Sequence, residues 1–177
     1  MKKAVNKSVF SIAIGMLLVV SCNNPDEYIE QRTKEMELEE LESMLSFLES
    51  EGHNIDTSDL GIYYIVYEEG EGPLAEFGDT LRLEYVGYLK GGQIFDASAF
   101  HYEDSIWEFT FEEDFLIPGF EDGISLMNKG AELELIIPSD YAYGAEGAIY
   151  IEPFSTLVFS TKLHDINPAA DTGAIGH

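Results

Sequence analysis

Thr80-Leu81-Arg82-Leu83-Glu84-Tyr85-Val86-Gly87-Tyr88-Leu89 reads as one long strand. Leu81, Leu83, Tyr85, Gly87 and Leu89 fall on one face, with Arg82 and Glu84 on the other, the period of two of a half-buried strand. Lys90-Gly91-Gly92 then turns the chain. On the N-terminal side, Ile62–Tyr67 is aromatic and β-branched and runs into the loop Gly70-Glu71-Gly72-Pro73. On the C-terminal side, Trp107, Phe109 and Phe111 alternate with Glu108 opposite, and Leu133, Leu135 and Ile137 mark another strand. Thr156–Ile166 is the last strand, with Leu157, Phe159 and Leu163 inward. Between them the sequence predicts a short helix over about 118–128, with Phe120, Ile124 and Met127 on one face and Gly130 ending it. Several antiparallel strands and one central helix make an α+β domain, a half-wrapped antiparallel sheet around one short helix and covered on one face.

The chain before this domain has a different texture. From about residue 26 to 50 it is rich in Glu, Leu and Met, with no Gly or Pro after Pro25, and these are strong helix formers. Leu38, Leu41, Leu45 and Leu48 form a narrow apolar stripe with Met44 beside it, so an amphipathic N-terminal helix is expected. Two uses of the stripe are open: a homodimer through the helix, or packing on the chain's own domain. Further upstream, Lys2, Lys3 and Lys7 precede the apolar run Val9–Val20, whose length suits an export signal and is short for a membrane span. Val19-Val20-Ser21-Cys22 resembles the bacterial lipobox, and this implies that Cys22, the only cysteine, becomes a lipidated first residue that ties the protein to a membrane. The expected organisation is a signal peptide over 1–21, tether and helix over 22–58, the folded domain over 59–167 and a disordered tail over 168–177. The expected location is the bacterial cell envelope, facing periplasm or exterior.

Nine Lys+Arg against 34 Asp+Glu give a formal net charge of −25. Such a surface repels phosphate backbones, which excludes nucleic acid as a partner class. His53, His101, His164 and His177 are scattered, and no acidic loop has calcium-binding spacing, so neither metal nor cofactor is expected.

Six blocks in order then carry a resemblance. Gly61-Ile62-Tyr63-Tyr64 with Gly70-x-Gly72 comes first, followed by Leu83-Glu84-Tyr85-Val86-Gly87 and Gly92-Gln93-Ile94-Phe95-Asp96-Ala97-Ser98. Leu116-Ile117-Pro118-Gly119-Phe120-Glu121-Asp122-Gly123, Ile137-Pro138-Ser139-Asp140-Tyr141-Ala142-Tyr143-Gly144 and Pro153-Phe154-Ser155-Thr156-Leu157-Val158-Phe159 complete the set. Together they resemble the FKBP-type peptidyl-prolyl cis-trans isomerases over roughly residues 59–167. The resemblance implies a proline-binding pocket in which Asp96, Tyr143, Ile117, Tyr85 and Phe95 carry catalysis. Trp107, Leu116, Phe120 (as floor), Tyr150, Ile151 and Phe159 would contact substrate. Three departures are visible. Phe120 stands where the family commonly has Trp, Trp107 stands where Phe is usual, and the loop from Gly144 to Pro153 is about one residue short, with Glu152 in place of a frequent Pro.

These residue types suit the chemistry. Turning an X-Pro bond breaks amide resonance, a barrier of roughly 18–20 kcal/mol, but makes and cuts no bond. A water-poor aromatic pocket favours the less polar twisted amide. Donors such as the Ile117 N–H and the Tyr143 hydroxyl then hold neighbouring carbonyls. The implied partners are proline-containing polypeptide clients and FK506-type macrolides. The other reading is a non-catalytic proline-binding or chaperone module of an envelope lipoprotein, such as those associated with cell-surface motility. Without the resemblance, aromatics at strand spacing are plain core and a lone Asp after a strand is a turn former.

Overall fold

The computed structural model describes residues 32–112 and 114–169. The expected signal peptide over 1–21, Cys22 and residues 170–177 of the expected tail lie outside them.

Nine strands follow in chain order: β1 (Asp56–Thr57), β2 (Tyr63–Glu68), β3 (Glu71–Leu74), β4 (Thr80–Leu89), β5 (Ile94–Ala97), β6 (Trp107–Thr110), β7 (Asn128–Lys129), β8 (Glu132–Ile137) and β9 (Leu157–Asn167). Helix α1 (Lys34–Ser50) precedes them, and α2 (Pro118–Ser125) lies between β6 and β7. The main sheet runs β1-β2-β8-β9-β4-β5, and β3 pairs only with β7. Every pairing is antiparallel.

The long strand read first from sequence is the organising element. β4 pairs with β9 along its whole length, from Thr80↔Asn167 to Leu89↔Leu157. Its other edge is shared: β6 takes Thr80–Leu83 and β5 takes Val86–Tyr88. Tyr85 lies at the break, and Ser98 replaces the missing strand there. The Tyr85 N–H donates to Ser98 Oγ (3.1 Å), whose hydroxyl donates back to the Tyr85 carbonyl (3.3 Å). This satisfies backbone groups that would otherwise be buried unpaired.

One face of the sheet receives α2. Phe120, Ile124 and Met127 are buried there against Leu81, Leu83, Leu133, Leu135, Ile137, Leu157 and Leu163. The helix lies close because Gly119 and Gly123 turn toward the sheet, where added Cβ atoms would collide with Ile137 and Leu135. It ends at Ser125, three residues short of the predicted end. The reason is that Asn128 and Lys129 are taken by β7, where Lys129 pairs with Glu71 and Asn128 with Leu74.

The other face is also covered, contrary to the expectation of a sheet covered on one side. Register places Tyr63, Ile136, Val158 and Tyr88 side by side across β2, β8, β9 and β4. This apolar row needs shielding, and α1 lies on it with Leu41 buried and Met44, Leu45 and Leu48 packed alongside. Each fully buried aliphatic side chain in such a contact contributes about 1.5–3 kcal/mol. Of the two uses open in the sequence, the stripe serves the chain's own domain. Leu38 is left half exposed at 51 %. The helix begins at Lys34 behind the cap Thr33, whose side chain accepts from the Met36 N–H (3.3 Å). No helix among the described residues is long and apolar enough to cross a membrane.

Candidate active site

Five of the residues singled out from sequence form one continuous cluster of rings. Tyr85 meets Trp107 and Phe120 edge-on, each at 5.8 Å between centroids. Phe120 packs on Phe159 at 4.5 Å, and Phe159 meets Phe95 edge-on at 5.5 Å. Trp107 stacks on Phe109 at 4.2 Å. The cluster depends on a missing side chain. A Cβ on Gly87 would come within 2.7 Å of Phe95 and 2.8 Å of Phe159, so glycine in mid-strand lets the two rings close over β4. Leu116, Ile117 and Ile151 pack against the same core.

Asp96 is the polar edge of the cluster. The Tyr85 hydroxyl donates to its Oδ2 (2.9 Å), and the Ala97 N–H donates to its Oδ1 (2.9 Å). His101 Nε2 lies 2.7 Å from the same Oδ1, a partner that sequence reasoning missed. Its only sequence signal is a histidine five residues beyond the aspartate, and the short 3-10 turn Ser98–Phe100 is what brings it back. Burial pushes the Tyr85 hydroxyl far above its ordinary value, and the hydrogen bond to Asp96 and its charge add to this. The Tyr143 hydroxyl is raised too, by burial and then by the charge of Asp96, which places it within electrostatic reach of the carboxylate. Both hydroxyls are therefore protonated donors at neutral pH.

Ile117 caps α2 in an extended conformation before Pro118. Among the described residues its N–H meets no acceptor. Tyr143 is 39 % exposed at the cluster's margin. Tyr150 stands apart. It is 82 % exposed, as is Ile149, at the tip of a turn closed by Ala148 N–H to Ile151 C=O (2.8 Å) and Ile151 N–H to Ala148 C=O (3.0 Å). Tyr150 has φ +67°, a conformation that favours glycine, and Phe154 further along has φ +54°. Such strain is sustained only where surrounding contacts fix it, and it clusters at functional loops. Behind this loop, a cavity of about 460 Å³ lies between Arg32, Glu40 and Met44 on one side and Tyr150 to Thr156 on the other, away from the ring cluster. Among the described residues no group of His, Cys, Asp and Glu is arranged to hold a metal.

The model of the family described as FKBP-type peptidyl-prolyl cis-trans isomerase matches residues 72–164, more than half of the chain. The chain belongs to this isomerase family. Among FKBP-type relatives, FkpA of Escherichia coli is 38 % identical over 120 residues, spanning 68 % of this chain and 43 % of FkpA. The FKBP-type 22 kDa isomerase of the same species is 34 % identical over 142 residues, 80 % of this chain and 66 % of the relative. The chain thus spans less than half the length of FkpA. The crystal structure of FkpA superimposes with a TM-score of 0.64 at 34 % identity, covering 75 % of this chain and 60 % of that one. An isomerase structure from Pseudomonas syringae gives 0.64 at 29 % identity, covering 78 % and 98 %. The FKBP-type span ends at Lys162–His164 in β9 and begins within β3, so α1 lies wholly outside it.

Proposed function

We propose that this protein catalyses peptidyl-prolyl cis-trans isomerisation in exported polypeptides, working from the bacterial envelope on a lipid anchor at Cys22. The observation that carries the activity is the Tyr85–Asp96 hydrogen bond at the edge of five packed rings, with two further donors beside it. The proline ring is gripped by Tyr85, Phe95, Trp107, Phe120 and Phe159. This water-poor surface favours the twisted amide, and the Tyr143 hydroxyl and Ile117 N–H hold the flanking carbonyls as the bond turns. Asp96 orients the Tyr85 hydroxyl and acts through its field; no proton is transferred, because no bond is made or broken. Leu116 and Ile151 shape the pocket wall, and Tyr150 reaches the client from the loop tip.

The anchor rests on the sequence Val19-Val20-Ser21-Cys22 after an apolar run. Clients are proline-containing chains, and an FK506-type macrolide is the expected competing ligand. A homodimer would have to use what α1 leaves uncovered, Leu38 at 51 % and Phe47 at 61 % exposed.

A second reading is a binding or holding module for unfolded chains. It is favoured by one observation, the largely exposed apolar side chains Phe115, Ile149 and Tyr150 on loops of the domain. Isomerase activity on a short Xaa-Pro peptide, with and without FK506, separates the two. Catalysis blocked by the macrolide supports the enzyme. Folded protein with no rate above background for several residues before proline leaves the binding module.

A further inference from the structure

Glu37, on α1 and outside the FKBP-type span, is a charged side chain with no exposed surface. An ionised carboxylate withdrawn from water is costly unless every acceptor position is used. Here they are used, three of the four contacts on one target. Oε1 accepts from the Ser139 N–H (2.6 Å) and the Thr156 hydroxyl (3.0 Å). Oε2 accepts from the Ser139 hydroxyl (2.6 Å) and from Lys34 Nζ (2.7 Å). Ser139 and Thr156 are the two ends of the segment that carries Tyr143, Tyr150 and Ile151.

The connection to the site is direct. The Ser139 carbonyl accepts from the Ala142 N–H and the Gly144 N–H, both at 2.9 Å, and these residues flank Tyr143. The Gly144 carbonyl accepts from the Phe154 N–H (2.8 Å), which ties the start of the loop to its end. Arg32, just ahead of α1, adds a third tie by donating to the Phe154 carbonyl (3.1 Å) while paired with Glu40 (2.8 Å). These anchors add to the Ala148–Ile151 bridge in holding the strained Tyr150 and Phe154. An apolar residue at position 37 would leave the Ser139 N–H and the Ser139 and Thr156 hydroxyls buried without this acceptor, so the carboxylate is matched to the loop.

The geometry points to Glu37 as a positioning residue of the isomerase site: it clamps both ends of the loop 139–156 from α1 and so fixes the Tyr143 hydroxyl relative to Asp96. This role rests on the isomerase reading given above and extends the working enzyme beyond residues 72–164, which the family model matches.

The test compares kcat/KM on an Xaa-Pro peptide for the full-length wild type, Glu37→Gln, Tyr143→Phe and the double variant. Glutamine keeps one acceptor but turns an amide donor toward Ser139 and Lys34. The single Glu37→Gln change is expected to lower kcat/KM about tenfold, since small displacements of a positioning group have effects of this order. The fluorescence of Trp107, the only tryptophan and a member of the ring cluster, should stay as in wild type. The double variant should lose little more than Tyr143→Phe alone, because the two residues act as a unit. Glu39→Gln, which makes the same charge change at an exposed position of α1, should leave kcat/KM unchanged, and an equal loss there would overturn the role. Wild-type kcat/KM in Glu37→Gln, or losses that simply add in the double variant, would overturn the role. Should Glu37→Gln not fold, Thr156→Val removes one tie and should lower kcat/KM about two- to threefold; full activity there overturns it equally. An inactive wild type is a different outcome, bringing down the isomerase reading and this role with it.

Discussion

Tyr85 is both a wall of the ring cluster and the donor to Asp96, and its burial determines how it behaves with pH. The hydroxyl ionises far above the ordinary tyrosine value near 10, and that of Tyr143 is displaced the same way. Neither donor is lost as pH rises toward that value. A pH–rate profile should therefore show no fall in kcat/KM attributable to tyrosine ionisation between about pH 8 and 10; a falling limb there that disappears in Tyr143→Phe would contradict the assignment. Removing the acceptor has a different effect. Asp96→Ala leaves the Tyr85 hydroxyl buried without its acceptor, and kcat/KM should drop by about ten- to a hundredfold. Gly87 acts on the ring cluster through the absence of a side chain. Gly87→Ala pushes on both Phe95 and Phe159, and overpacking of this kind costs about 1–3 kcal/mol. Urea unfolding monitored by Trp107 fluorescence measures it directly.

At the scale of elements, α1 is joined to the sheet in two chemically distinct ways. The first is apolar, through Leu41 on Ile136 and Val158. Truncating Leu41 to Ala leaves a cavity against strands that cannot close it, and a loss of about 2–4 kcal/mol is expected in equilibrium denaturation. A loss below ~0.5 kcal/mol would mean that α1 is not docked in solution. The second is ionic, through Glu37. Burial raises the pKa of this carboxyl, but the hydrogen bonds from Lys34, Ser139 and Thr156 outweigh it and hold the group below its ordinary value. A carboxyl whose folded value is depressed adds stability that is present above its unfolded value and is lost as pH falls through the folded one. Thermal melts should thus show a loss of stability on acidification below about pH 4 that is weaker in Glu37→Gln. Equal acid sensitivity in both proteins would show that other carboxylates are responsible.

Across the whole molecule, charge is the property with the longest reach. The chain carries 34 acidic residues against nine basic ones, whereas the walls of the candidate site are apolar. A client segment with flanking Lys or Arg is drawn in by this field, and added salt screens the attraction. For a peptide with a basic residue near proline, kcat/KM should fall several-fold between low and roughly 0.5 M salt, while a neutral peptide shows little change. Identical salt responses for the two peptides would confine the acidic surface to a solubility role. The N-terminal helix also changes what counts as the domain. The sheet is covered on both faces, and the second cover is supplied by residues before the FKBP-type span.

The sequence by itself determined the longer strands β2, β4, β6, β8 and β9, while the short β1, β5 and β7 went unread and Glu71–Leu74, expected as part of a loop, is β3. The signal of the longer strands is local: an alternation of Leu81, Leu83, Tyr85 and Gly87 fixes a face, and six ordered blocks name the residues that share it. β4 runs over the residues expected of it, and Phe120, Ile124 and Met127 point inward as their spacing requires. What the sequence left open was decided by contacts between distant segments. The destination of the α1 stripe depends on a row of side chains contributed by four strands, which no single segment displays. The pairing of His101 with Asp96 depends on a turn that folds the chain back on itself. The burial of Glu37 depends on Ser139 and Thr156, more than a hundred residues away. A glutamate on a helix rich in glutamate carries no mark that sets it apart, because its character comes from the groups that tertiary structure places around it.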